Sequence, residues 1–216
     1  MLKQIKGAIR DPNAAWHMLK AQRHKLPWGD RQFVHAEEFR SDSEKGDYVT
    51  SIAGILGTQR SFENFKRDAV YRRILEHVSE REGAQYLEIL QSRNDGVLDT
   101  AIDTVLRLDS VGNPVKYRYT GFDSALSPTT LRYVKVASDL FGLFGRDHAR
   151  IAEIGCGYGG QTLTNDKLLG FQHATLFDLP VVNRLIRRYL GSVILDGAFK
   201  ATTLNEELPQ AYELAI

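Results

Sequence analysis

Apolar residues recur at helical spacing through the first two thirds of the chain and change after residue 150 to short unbroken runs separated by glycine. The first pattern predicts a mostly helical stretch from Phe33 to Leu90, interrupted at 41–46 and around Gly57. Within it, Tyr48 to Leu56 is an apolar piece closed by Gly57, as a helix C-terminus requires. Ser61 to Val78 reads as one long helix, with Phe62, Phe65, Ala69, Tyr71, Ile74 and Leu75 as its core stripe and Lys66, Arg67, Arg72 and Arg73 as its solvated face. Asn94, Asp95 and Gly96 form a turn. Val97 to Leu108 then repeats apolar residues at 97, 98, 101, 102, 105 and 106. Asp109 to Pro114 reads as a loop, and Val115, Tyr117 and Tyr119 alternate with basic residues as a short strand or arm does. Ser127-Pro128 starts a helix whose buried stripe is Leu131, Val134, Ala137, Leu140, Phe141 and Phe144, ended by Gly145.

The second pattern is concentrated in IAEIGCGYGGQTLTNDKLLGFQHATLFDLP, residues 151–180. An apolar run containing an acid, Ile151 to Ile154, meets glycines at 155, 157, 159 and 160. A helix over Gln161 to Leu169 and a second apolar run ending in Asp178 follow. Strand, tight turn, helix, strand, with acids at both strand tips, is the layout of a site for a nucleoside-bearing cofactor. Glycines at 155 and 157 permit backbone angles closed to other residues and let a ligand lie against the main chain. The helix aims free N–H groups and its positive dipole end at the turn. A carboxylate at a strand's carboxyl edge can accept both hydrogen bonds of a ribose diol, each worth about 1.5–3 kcal/mol.

Two cofactor classes compete for this unit. Gly155, Gly157 and Gly160 satisfy G-x-G-x-x-G, and Asp178 follows at a dinucleotide-like distance. Glu153 tips the choice, because a carboxylate beside the turn repels a pyrophosphate and suits the cationic methionine arm of S-adenosylmethionine. EIGCGYGG resembles the first motif of class I S-adenosylmethionine-dependent methyltransferases, and LFDLP resembles the second-strand end of their small-molecule O-methyltransferases. The resemblance implies cofactor contacts from Glu153 at the methionine end and Asp178 at the ribose. The run between them, Gly155, Cys156, Gly157, Tyr158, Gly159 and Gln161, and Leu179 after it complete the implied set.

The 28 Lys and Arg nearly balance 27 Asp and Glu, giving a net charge of +1, so no global field argues for nucleic acid. Cys156 is the only cysteine, which excludes an internal disulfide and suits a reducing, cytoplasmic setting; a small filler under the turn is its simpler role. No run has the length of a membrane span. Six scattered histidines show no metal-ligand pairing, so no metal is expected. Residues 1–30 are basic. A helix after Asp11-Pro12 carries Trp16 and reads as a solvated face with the indole docked, a membrane or anionic contact being the alternative.

A narrower resemblance joins SPTTLRYVKVASDLF, IAEIGCGYGGQ and FDLPVVNRLIRRYL. Together they look like the sugar O-methyltransferases found among bacterial surface-polysaccharide genes. That family implies methyl transfer to a hydroxyl of a small or polymer-linked sugar. Ser127, Thr129, Thr130, Arg132 and Tyr133 become candidate acceptor-pocket residues, with capping and surface roles as alternatives; Tyr158 and Gln161 are candidates for cofactor or sugar contact. The fold expected is α/β, with an incomplete Rossmann-like sheet over 121–216 as the first half of the cofactor domain. A mainly helical region over 1–120 precedes it, covering the site or forming an oligomer interface. After Asp178 come a helix at Val181 to Leu190, an extended piece at Ser192 to Lys200 and a fourth strand at Tyr212 to Ile216. The family's sheet has more strands than these four, so the chain is expected to be the first part of a longer enzyme, with the general base beyond it. The alternatives are the same cofactor with another acceptor, and a non-catalytic or NAD-binding module.

Overall fold

The structure, a computed structural model, describes residues 46–93, 95–193, 195–204 and 211–216. The basic segment 1–30 with Trp16, and the start of the helical stretch at Phe33, lie outside the described residues.

Helices come first. They are α1 (Gly46–Gly57), α2 (Gln59–Glu63), a 3-10 turn (Phe65–Arg67), α3 (Ala69–Ile74), α4 (Glu80–Arg93), α5 (Val97–Ser110) and α6 (Pro128–Phe144). Strands and helices then alternate: β1 (His148–Ile154), α7 (Gly160–Leu168), β2 (Phe171–Phe177), α8 (Pro180–Leu190), β3 (Ala198–Thr202) and β4 (Leu214–Ala215). The four strands run parallel in the order β3-β2-β1-β4. The chain therefore steps outward from β1 through β2 to β3 and returns to the other side of β1, which puts a topological switch point between β1 and β4. This bears out the α/β expectation at the level of a parallel, helix-covered sheet.

Several expectations are corrected. Ser61 to Val78 is not one helix, because Asp68 intervenes: its carboxylate accepts the N–H groups of Val70 and Tyr71 and the hydroxyl of Ser51, which caps α3 and ends the preceding turn. Lys66 is not on a solvated face. It is 1% exposed and donates to the Leu108 carbonyl at 2.7 Å. Asp109 belongs to α5 rather than to a loop. There it accepts Ser127 N–H at 2.7 Å and the Thr130 hydroxyl at 2.6 Å, joining the end of α5 to the start of α6. Phe144, expected in the α6 stripe, is 53% exposed because the last turn of that helix overhangs its neighbours. Leu106 is exposed as well, and the buried face of α5 is Val97, Ala101, Val105 and Leu108.

Two apolar clusters hold the fold. One gathers Tyr48, Ile52, Phe65 and Tyr71 of the early helices with Ile151, Leu176, Leu185 and Tyr189 of the sheet and α8. The other joins α4, α5 and α6 through Leu87, Val105, Leu126, Leu131 and Val134 and reaches Leu168 of α7. Each fully buried leucine or isoleucine contributes about 1.5–3 kcal/mol. Both clusters contain residues from either side of position 120.

α7 has the least expected environment. Its sequence, GQTLTNDKL, is largely polar, yet every residue but Lys167 is buried, because α5 and α6 cover the side that the sheet leaves free. α6 thus packs chiefly on α4, α5 and α7. Most polar groups of α7 find partners: Gln161 Nε2 donates to Tyr133 O and Asn165 Oδ1, Thr164 donates to Gly160 O, and Asp166 accepts the N–H groups of Asp196 and Gly197, while Asn165 Nδ2 is buried without one.

Candidate functional site

β1 ends at Ile154 and β2 at Phe177, and the chain pins the two tips together: Gly155 N–H donates to Phe177 O at 2.9 Å, and Asp178 N–H to Thr202 O at 3.1 Å. Between β1 and α7 the turn winds through left-handed backbone at Gly155, Gly157 and Gly159, with φ of 74°, 56° and 90°. A side chain at these positions is strained, which accounts for the glycines. The Asp178 carboxylate lies against the turn. Its Oδ2 accepts Gly157 N–H at 3.0 Å and its Oδ1 accepts Leu179 N–H at 2.8 Å. Burial pushes its pKa upward, against the pull of those N–H donors.

Glu153 points the other way, beneath α7. It is buried, and its Oε2 accepts the Thr162 hydroxyl at 2.6 Å. Desolvation raises its pKa to about 7, with the Asp178 charge adding to the rise and the Thr162 bond opposing it. Cys156 is a filler: its thiol donates to Glu153 O at 3.0 Å, and burial pushes its pKa up, which suppresses the thiolate. The outer side of the turn is open, since a Cβ placed on Gly155 would meet nothing within 4 Å, and Ile154 beside it is 58% exposed.

The chain matches no protein-family model and no curated protein.

Glu153, Gly155, Cys156, Gly157, Gly159, Asp178 and Leu179 therefore converge on one edge, where an open sheet of this order binds ligands. Tyr158 and Gln161 stand apart from the open side. Tyr158 is buried among Tyr189, Phe65 and Tyr133, with ring centroids at 4.7, 5.2 and 6.1 Å, and Lys66 Nζ lies 4.5 Å over its ring. Gln161 ties α7 to α6 through the Tyr133 carbonyl. Of the acceptor candidates, Thr129 and Thr130 are buried in the first turn of α6, while Arg132 and Tyr133 are partly exposed, the guanidinium resting over the Tyr133 ring at 5.4 Å.

Three contributors carry no signal that sequence reading could have used. Thr162 becomes the partner of Glu153 only once α7 folds back on β1. Tyr71 and Leu75 read as core, yet they close the turn from above: a Cβ on Gly157 would stand 3.1 Å from Leu75 Cδ1 and 3.9 Å from Tyr71 Oη. Among the described residues no three His, Cys, Asp or Glu side chains gather as metal ligands, and no helix is long and apolar enough to cross a membrane.

Proposed function

We propose that this chain binds S-adenosylmethionine at the glycine turn and serves methyl transfer to a sugar hydroxyl, in bacterial surface-polysaccharide or glycoside biosynthesis. The observation that carries the cofactor half is the placement of Asp178. Its two oxygens are held by the N–H groups of Gly157 and Leu179 beside the open position at Gly155. Each carboxylate oxygen can accept more than one hydrogen bond, so the pair keeps capacity for a ribose diol. A second acid, Glu153, underlies the same turn. Two carboxyl groups at one edge oppose a pyrophosphate and suit a cationic methionine arm, which favours this cofactor over a dinucleotide.

When bound, the sulfonium supplies an electrophilic methyl group. The chain's own share is to fix the ribose at Asp178, to seat the remainder of the cofactor on the bare backbone of the turn, and to hold the acceptor oxygen in line with the carbon–sulfur bond. The first turns of α6 are tied to α7 by the bond from Gln161 to the Tyr133 carbonyl, and of the acceptor candidates the partly exposed Arg132 and Tyr133 are favoured over the buried Thr129. The sugar as acceptor rests on the resemblance of residues 127–141, 151–161 and 177–190. The reading assigns the reaction to the cytoplasm, in keeping with a single cysteine.

Calorimetric titration with S-adenosylhomocysteine and with NAD tests the reading. The former is expected to bind, to lose about tenfold or more in Asp178→Ala, and to have no counterpart with NAD. Binding of NAD in place of S-adenosylhomocysteine would overturn it.

A further inference from the structure

Tyr71 is fully buried, and its hydroxyl has no hydrogen-bond partner among the described residues. A buried hydroxyl without a partner forfeits about 1–3 kcal/mol, so a well-ordered one calls for an explanation. Disorder is not that explanation. The Tyr71 N–H is capped by Asp68 at 2.9 Å, Asp68 is held in turn by the Ser51 hydroxyl at 2.6 Å, and the ring stands edge-on to Phe65 with centroids 5.2 Å apart. This phenol is held rigidly with its polar end aimed at the face of Gly157, 3.9 Å from where a Cβ would stand.

Resting on the reading of the turn as a site for S-adenosylmethionine, we propose that the Tyr71 hydroxyl is a ligand-binding group that donates to an oxygen of the cofactor, either in its ribose or in its α-carboxylate. Asp178 at the edge is placed to accept, while Glu153 is turned beneath α7, and the turn otherwise offers only backbone N–H groups. Tyr71 adds a neutral side-chain donor on the opposite wall. Burial holds its pKa well above the ordinary phenol value, with nearby tyrosines, Glu76 and Asp178 adding to the rise, which favours the protonated, donating form. Leu75 is only partly buried and its Cδ1 closes over the same point of Gly157, so binding there requires a change of its side-chain rotamer.

Another buried tyrosine hydroxyl, that of Tyr189, also lacks a partner among the described residues, and it provides the control. Its ring stands 5.8 Å from Lys66 Nζ and 4.7 Å from the ring of Tyr158.

The test is calorimetry and thermal melting on Tyr71→Phe and Tyr189→Phe, with S-adenosylhomocysteine and with 5′-methylthioadenosine, which keeps the ribose and lacks the carboxylate. Removing an unpartnered buried hydroxyl is expected to leave the ligand-free melting temperature equal or higher in both variants. Tyr71→Phe alone is expected to weaken S-adenosylhomocysteine about fivefold or more, which corresponds to one hydrogen bond. A matching loss with 5′-methylthioadenosine assigns the bond to the ribose, and a loss confined to S-adenosylhomocysteine assigns it to the carboxylate. Unchanged affinity in Tyr71→Phe, an equal loss in Tyr189→Phe, or a large drop in melting temperature for Tyr71→Phe overturns the proposal while the cofactor site stands. Failure of the unaltered chain to bind either ligand overturns both.

Discussion

At the sheet edge, Asp178 accepts from two backbone N–H groups and lies beside an open position at Gly155. Under the start of α6, Asp109 likewise accepts from a backbone N–H and a hydroxyl, but it is enclosed on all sides, with the buried Lys66 nearby. Both carboxyl groups are desolvated and both have raised pKa values. What separates them is the open flank. In the edge site the partners hold the carboxylate ready for a further donor, whereas in the helical layer they use it to join two helices. A perturbed acid alone does not mark a site; a perturbed acid with an accessible side and a backbone that lets a ligand approach does.

Substitutions can break that comparison, beginning with the largest effect. Asp109→Ala orphans Ser127 N–H and the Thr130 hydroxyl, and is expected to cost about 3 kcal/mol in urea denaturation. The folded fraction should still bind S-adenosylhomocysteine; selective loss of binding with stability intact would erase the distinction drawn here.

The next effect is of similar size but depends on pH. Glu153 has a folded pKa raised from 4.5 to about 7, so between those values the native state binds the proton more tightly than the unfolded chain. Stability therefore falls as pH rises from about 4.5 to about 7, by about 3 kcal/mol, and is flat in this contribution above that range. Glu153→Gln should make the slope shallower by this contribution, leaving the part that Asp109 and Asp178 supply. Denaturation midpoints measured across the window check it, and a slope unchanged by the substitution refutes the assignment.

The smallest effect is expected where charge is most deeply buried. Lys66 is surrounded by the rings of Phe65, Tyr158 and Tyr189, at 4.5–5.8 Å from Nζ, which suit an apolar chain of the same length. Lys66→Met orphans the Leu108 carbonyl and removes the cation near Asp109, which the apolar fit offsets in part; it should cost about 2 kcal/mol and leave ligand affinity unchanged, as judged by urea midpoints and calorimetry.

The sequence carried the unit from β1 to Asp178 because its signals are local: apolar runs, glycines at left-handed positions, and acids at strand tips. The helices α1, α5, α6 and α8 were legible for the same reason, through periodicity and through Gly57, Pro128, Gly145 and Pro180 at their ends. Lys66 and Tyr71 were not. A lysine between apolar positions reads as surface until three aromatic rings from distant segments close on it. A tyrosine in a core stripe gives no sign that its hydroxyl will reach a turn 86 positions later, at Gly157. The helix α7 was legible but its burial was not, since burial on every side leaves no amphipathic period to detect, and its partners come from β1, α6 and the approach to β3.

That covered helix sets the kinetic character of the site. The glycine turn leads directly into a segment whose amides are shielded on both sides, so the turn cannot open without a concerted loosening of sheet and helical layer. A ligand arriving at Gly155 meets a socket already in shape. Little of the binding energy of a ligand there would be spent on ordering the chain.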